Sequence, residues 1–363
     1  MPTPHGRGGP DMQKILIYGS YGYTGKLIVH QAAREGLSVI LAGRDEKQLG
    51  IQAKEFGFEY RAFGLEETHA LGTAVNEVDA VLHCAGPFSL TFQAMIRACL
   101  ENGKHYVDIS GEIEEFEALA KMDGQARKAG VMILPGGGFD VVPSDCLALY
   151  LKKKLPSATK LELNIMSVGS GISRGTARSG IENMHRQGRI RRDGKIVRVP
   201  GAWRVKQVDF GRGPKRVVSM GWGDVSTAYY STHIPNIEAY MAFPPLMIKL
   251  MYLTRFVGPL LYIRPMKNFL KWAVGKAIPP GPSSERNRTG LALFIGEVTD
   301  GSRTMRAKLR TPEAYHLTAL TSVEIMKRIL SSGYEAGFQT AGKMYGEDFI
   351  LQFPGVERED LKE

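Results

Sequence analysis

Three glycines, at positions 19, 22 and 25, stand where an apolar run, Ile15 to Tyr18, gives way to a helical pattern. Strand, glycine loop and helix in that order are what the pyrophosphate of a dinucleotide needs. Gly19 allows the tight turn, Gly22 lets the backbone approach the phosphates, and Gly25 lets the helix pack closely. The free N–H groups of the first helical turn then face the anion. About twenty residues further on, a second apolar run ends in Ala42-Gly43-Arg44. An acid at this place binds a ribose 2′-hydroxyl, whereas an arginine binds a 2′-phosphate through paired, charge-assisted hydrogen bonds. Arg44 therefore points to NADP(H), with Lys47 as a second charge for the same phosphate. Asp45 is either a rival ribose ligand or the cap of a helix over 46–55.

A second group of residues suits proton transfer. Tyr106, Asp108, Glu112 and Asp140 fall near the ends of expected strands, and His83 lies within one. Asp140 is the first candidate for a catalytic acid, because it follows the glycine run 136–138; a carboxylate capping nearby amides is the equal alternative. Tyr106 is the second candidate, and its alternation with Val107 leaves its direction open. His83, in an apolar strand, reads as a packed, hydrogen-bonded histidine. Ala85-Gly86-Pro87-Phe88 is the small, kinked passage that suits the nicotinamide side of a cofactor. Ser173-Arg174-Gly175-Thr176 opens a helix after a strand, with Arg178 one turn on. Its N–H groups and arginines suit a carboxylate or phosphate, unless Ser173 or Thr176 merely caps the helix.

The elements needed to position these residues follow in order. Apolar runs at Ile15–Tyr18, Leu37–Leu41, Glu59–Phe63, Asp79–Ala85, Tyr106–Ser110 and Val131–Leu134 alternate with helical patterns over 26–35, 46–55, 66–76, 91–102 and 114–129. Such alternation predicts a doubly wound parallel sheet with right-handed crossovers, its ligands at the carboxyl ends of the strands. Ser144 reads as the N-cap of a helix over 145–154 that closes this domain. The pattern then changes to strands and hairpins: Leu161–Val168, Arg189–Val199 about Asp193-Gly194, Trp203–Phe210, Arg216–Met220, and Leu291–Val298 with Thr304–Leu309. A second α+β domain on a mixed or antiparallel sheet is expected. The resulting division is a disordered leader over 1–11, a nucleotide-binding domain over 12–150, a substrate and dimerisation domain over 151–312, and a helix with tail over 313–363 that returns to the first domain.

Composition narrows the setting. Of 363 residues 43% are hydrophobic and 23% charged, as in ordinary globular proteins. Three unpaired cysteines, Cys84, Cys99 and Cys146, fit neither a disulfide frame nor a zinc site, so a reducing cytoplasm is expected and no metal. The net charge of +10 is concentrated between Arg174 and Arg216, where thirteen basic residues face three acidic ones. No nucleic-acid reading module accompanies them, so the expectation is an anionic substrate or partner, or a plain solvated face. The apolar stretch 240–278 is interrupted by prolines and cations too often to span a membrane. It reads as short amphipathic helices serving as core or dimer contact, as a lid, or as a surface that rests on lipid.

With these motifs in place, the chain resembles the saccharopine dehydrogenase-like oxidoreductases, including their trans-acting enoyl reductase branch. The resemblance runs from about Lys14 to Leu351. It rests on Gly19-Ser-Tyr-Gly-Tyr-Thr-Gly25, Ala42-Gly-Arg44, Gly86-Pro-Phe88, His105-Tyr-Val-Asp-Ile-Ser-Gly-Glu112, Gly138-Phe-Asp140, Pro143-Ser-Asp145 and Ser173-Arg-Gly-Thr176. It implies a Rossmann domain joined to an α/β substrate domain, a homodimer, and NADP(H) or NAD(H) as hydride carrier. The cofactor set it implies, joined to the residues read above, is Gly19, Ser20, Tyr21, Gly22, Tyr23, Thr24, Gly43, Arg44, Ala85, Gly86, Pro87 and Phe88. Thr340-Ala341 stands where the family often has Thr-Pro. The expected function is hydride transfer from NADP(H) to a C=C or C=N bond of a small or acyl-type substrate. A non-catalytic NADPH-binding regulator and a lipid-surface protein are the alternatives.

Overall fold

The computed structural model describes residues 13–183, 188–249, 251–252 and 264–362. The expected leader and the middle of the 240–278 stretch lie outside these residues.

Two sheets organise the chain. The first contains β1 (Lys14–Tyr18), β2 (Ser38–Gly43), β3 (Glu59–Ala62), β4 (Ala80–His83), β5 (His105–Asp108) and β6 (Met132–Leu134). Between them run α1 (Tyr23–Arg34), α2 (Glu46–Phe56), α3 (Thr68–Asn76), α4 (Phe88–Asn102), α5 (Ile113–Ala120) and α6 (Asp123–Ala129). The strand order is β3-β2-β1-β4-β5-β6, every pairing parallel, and a short strand near the C terminus, Gly337–Phe338, extends it beside β6. This is the Rossmann order, with its switch point between β1 and β4. The reason for burial on both faces is visible in β1. Ile15 and Ile17 enter one core and Leu16 and Tyr18 the other, as the two-residue period of a strand requires. The helix expected over 114–129 is two helices, broken at Lys121-Met122.

After α7 (Val142–Lys154) the second sheet begins with β7 (Lys160–Val168). It continues through α8 (Arg174–Asn183), β8 (Gly188–Arg192), β9 (Lys195–Val199), β10 (Val205–Asp209), β11 (Pro214–Met220), α9 (Asp224–Thr232) and β12 (Asn236–Ala242). Helices α10 (Arg264–Ala277) and α11 (Ser284–Thr289) precede the hairpin of β13 (Leu291–Thr299) and β14 (Thr304–Pro312). Its order is β10-β11-β12-β7-β13-β14, with only the β12–β7 pair parallel on that path, so the sheet is mixed. The β8–β9 hairpin turns at Asp193 (φ 49°) and Gly194 (φ 74°), the left-handed pair a two-residue turn demands.

The C-terminal helix α12 (Ala314–Leu330) packs on α1, and β15 (Gly337–Phe338) joins the first sheet. The short helix α13 (Ala341–Tyr345) follows, and then β16 (Glu357–Leu361), which pairs with β14 in the second sheet. The expected return of the whole tail to the first domain is thereby corrected. One core runs through both units: Ile17, Leu147, Phe294 and Leu317 belong to the same buried cluster. Ser144 is also corrected. It lies inside α7, which begins at Val142, and its hydroxyl bonds the carbonyl of Val141 and the carboxylate of Asp224.

Candidate functional site

The glycine loop leaves β1 at the switch point. Gly19 sits at φ 84°, and its N–H donates to the Ala42 carbonyl at 2.8 Å, which ties the loop to the end of β2. A side chain at Gly25 would collide with the carbonyl oxygens of Gly19 and Ser20, so the third glycine lets α1 rest directly on the loop backbone. Gly22 precedes α1 with no side-chain cap and no acidic residue in the first turn. Its N-terminal amides and dipole are thus available to an anion. The Ser20 hydroxyl, fully buried at the loop, has no hydrogen-bond partner among the described residues. These are features of a phosphate cradle, and they fit a dinucleotide.

At the end of β2 the Tyr21 hydroxyl accepts hydrogen bonds from the amides of Arg44 (3.1 Å) and Asp45 (3.2 Å). The Tyr21 ring fills the space a Cβ on Gly43 would need, which explains the glycine there. Asp45 caps α2 by accepting from the Gln48 amide at 3.1 Å. One of its carboxylate oxygens is therefore engaged, and the Arg44 side chain is exposed. Tyr23 and Thr24 open α1. Tyr23 turns away from the loop: its hydroxyl donates to the Pro282 carbonyl (2.9 Å) and accepts from Asn287 (2.6 Å). It fastens α1 to the second unit.

The turn after β4 carries Ala85, Gly86, Pro87 and Phe88. The Thr91 hydroxyl donates to the Ala85 carbonyl at 2.8 Å. The Glu112 carboxylate accepts from the amides of Phe88 (3.0 Å) and Ser89 (3.1 Å), holding the start of α4 against the turn after β5. The Ser179 hydroxyl of α8 would lie 3.3 Å from a methyl group on Gly86, so the second unit closes over this turn. His83 is fully buried beneath it, bonded to Thr91 at 2.9 Å, and burial pushes its pKa down to about 3. It is a neutral packing residue.

Asp140 follows the glycine run at the end of β6. Its side chain keeps some solvent access, yet the protein around it desolvates the carboxyl enough to raise its pKa to about 7. Its carboxylate approaches Gly111, where a Cβ would lie 3.0 Å from Oδ2, and its backbone carbonyl accepts from the Trp222 indole at 2.8 Å. Tyr106 is a different case. Its ring is fully buried in β5, its hydroxyl faces the buried Glu115 at 3.4 Å, and burial raises its pKa well above the usual value. The structure thus removes Tyr106 from the catalytic candidates.

The start of α8 is already satisfied. Ser173 Oγ accepts from the Thr176 amide (3.1 Å), the Ser173 amide donates to Tyr315 (2.7 Å), and the Arg174 amide donates to the Pro280 carbonyl (3.2 Å). Arg174 Nε donates to the Ile278 carbonyl (3.1 Å), and the Thr176 hydroxyl meets that of Tyr315 at 2.9 Å. An anion at this helix start would have to displace these bonds, so the expected role of Ser173, Arg174 and Thr176 is corrected to a cap and a seam. Arg178 is exposed.

Comparison with known proteins bears on the loop first. The family model of the saccharopine dehydrogenase NADP binding domain matches residues 15–134. This stretch is similar to a saccharopine dehydrogenase NADP-binding domain. The match begins at β1 and ends at β6, so this domain is the parallel sheet described above. A lipid droplet localized protein of Caenorhabditis elegans is 33% identical over 153 residues, 38% of this chain and 36% of that protein. A saccharopine dehydrogenase-like oxidoreductase of Mus musculus is 24% identical over 203 residues, 49% of this chain and 47% of that protein. A putative trans-acting enoyl reductase of Mycobacterium tuberculosis is 28% identical over 181 residues, 46% and 43%. The chain spans less than half the length of these curated relatives in the segments it matches. The fold is that of saccharopine dehydrogenase (L-Glu forming) from Saccharomyces cerevisiae, with a TM-score of 0.65 at 11% identity over 96% of this chain and all of that one.

Around this first unit, four arginines and lysines of the basic stretch pair with acids from elsewhere. Arg189 meets Glu114 at 3.0 Å, Arg204 meets Glu238 at 2.9 Å, and Arg191 and Lys206 pair with Glu117 and Glu162. Buried Arg191 also lies over the Tyr229 ring at 4.3 Å. Part of the expected anion-binding surface is therefore a set of struts; those from Arg189 and Arg191 reach α5 of the first unit. Tyr315 and Asn287, absent from the sequence expectations, join the domain to α8 and α11. Only the contacts of the folded chain reveal them.

Proposed function

We propose that this chain is an NADP-dependent oxidoreductase of the cytoplasm, homodimeric as the family resemblance implies. It reduces a C=C or C=N bond in a crevice bounded by the turns at 19–25, 85–88 and 110–112 and by α8. The observation that carries the cofactor choice is the division of labour at the end of β2. Asp45 is committed to its helix, and Arg44 presents a guanidinium beside the loop. An arginine so placed suits a 2′-phosphate. When bound, the nicotinamide supplies the hydride. The loop amides and the Ser20 hydroxyl hold the pyrophosphate, Gly86-Pro87 lines the ribose side, and α8 covers the crevice from water.

Asp140 holds the proton for the reaction at its carboxyl. With a pKa near 7 it is half protonated at neutral pH, the poise a general acid needs. An acyl thioester rather than a small amino acid is the substrate class we favour. The name of the mycobacterial relative agrees with that class. The test is a screen for acceptor-dependent oxidation of NADPH with enoyl thioesters and with imino acids. Turnover with enoyl thioesters is expected. Turnover confined to imino acids overturns the substrate class, and tight NADPH binding without turnover across both sets overturns the enzyme.

A further inference from the structure

Helix α10 carries apolar residues on its outward side as well as its inward one. Its apolar residues at intervals of three, Met266, Phe269 and Trp272, are 42%, 58% and 57% exposed. Leu270, Ala273 and Val274 are half-buried, on a helix that packs against α8. Phe269 and Trp272 stack on each other with centroids 5.9 Å apart, and the Lys276 ammonium lies 4.7 Å from the Trp272 ring. Two large aromatic rings side by side on a surface mark an interaction face rather than scattered exposure. The sequence around the helix identifies the partner by its charge. Residues 240–278 contain six lysines and arginines and no aspartate or glutamate.

We propose that the outward face of α10 docks this chain on an anionic phospholipid surface, with the helix lying in the interface. A helix of 14 residues is about 21 Å long, too short to span, and no helix among the described residues is long and apolar enough to cross a membrane. Aromatic and methionine side chains enter the acyl boundary while the lysine stems reach back to the headgroups. A second copy of the chain is disfavoured as the cover. An isologous contact would set one acid-free, cation-bearing segment against itself. Because α8 separates α10 from Gly86, docking places the crevice one helix away from the lipid. The docking itself does not depend on the proposed reaction.

The test is flotation of the full chain with vesicles of phosphatidylcholine alone or mixed with phosphatidylserine. The chain is expected to float with the mixed vesicles, to do so less in high salt, and to show a blue shift of tryptophan emission that Trp272→Phe removes. The double variant Phe269→Ala, Trp272→Ala should lose at least about tenfold in vesicle partition while binding NADPH as the parent does, which certifies its fold. Lys276→Glu should weaken binding to the mixed vesicles only. The proposal is overturned if the parent does not float with anionic vesicles, or if the double variant floats equally. It is also overturned if the parent is a dimer in solution that the double variant dissociates, since a second copy then covers this face.

Discussion

Two helix starts in this molecule look alike in sequence and differ in chemistry. Both α1 and α8 begin among glycine, serine or threonine and a basic residue, Lys26 in one and Arg174 in the other. At α1 the cap is Gly22, which offers no side chain, and the Ser20 hydroxyl beside it has no hydrogen-bond partner among the described residues. At α8, Ser173 caps the helix, Tyr315 takes one amide and the Pro280 carbonyl another. An anion is drawn to amides whose partners have not been supplied by the protein, and only α1 offers them.

The most severe way to break the contrast is Gly25→Ala. The new methyl would strike the carbonyls of Gly19 and Ser20, backbone atoms that cannot move without the loop. Loss of measurable NADPH binding by calorimetry is expected, with roughly 1–3 kcal/mol of stability. Arg44→Ala comes next. Removing charge-assisted hydrogen bonds of about 1.5–3 kcal/mol should weaken NADPH on the order of tenfold to a hundredfold while leaving NADH nearly unchanged. Equal losses would remove Arg44 from the phosphate.

Asp140→Asn probes the crevice by pH. The raised carboxyl means that between about pH 4 and 7 the folded chain binds a proton the unfolded chain has released. Stability from this group is therefore complete below about pH 4 and declines as pH rises to about 7. The variant should be more stable than the parent in denaturant melts above pH 7 and equal to it near pH 4. The fall in reduction rate above pH 7 should vanish together with most of the rate. The mildest test addresses α8: Ser173→Ala should cost about 0.5–2 kcal/mol in a thermal melt, as a lost cap does, and leave KM for an anionic substrate unchanged. A large rise in KM without loss of stability would restore the anion site there.

What the sequence reveals follows the range of the forces involved. The glycine loop, the Asp193-Gly194 turn and the apolar run of β1 are local, and each was legible from neighbouring residues. Asp140 was legible as a strand-end acid, though its raised pKa depends on burial by distant chain. Four cations of the basic stretch were not legible as struts because their counter-charges, Glu114, Glu117, Glu162 and Glu238, come from other parts of the chain. β16 escaped notice because Glu-Arg-Glu-Asp-Leu is polar, as an exposed edge strand tolerates. Ser144 resembled a cap until Asp224, eighty residues away, claimed its hydroxyl.

The central claim is most directly tested by titrating the purified chain with NADPH and with NADH in one calorimeter under one buffer. Saturable heat with NADPH, at an affinity at least tenfold above that of NADH, is the predicted result. Absence of binding by both nucleotides, or a preference for NADH, would contradict it.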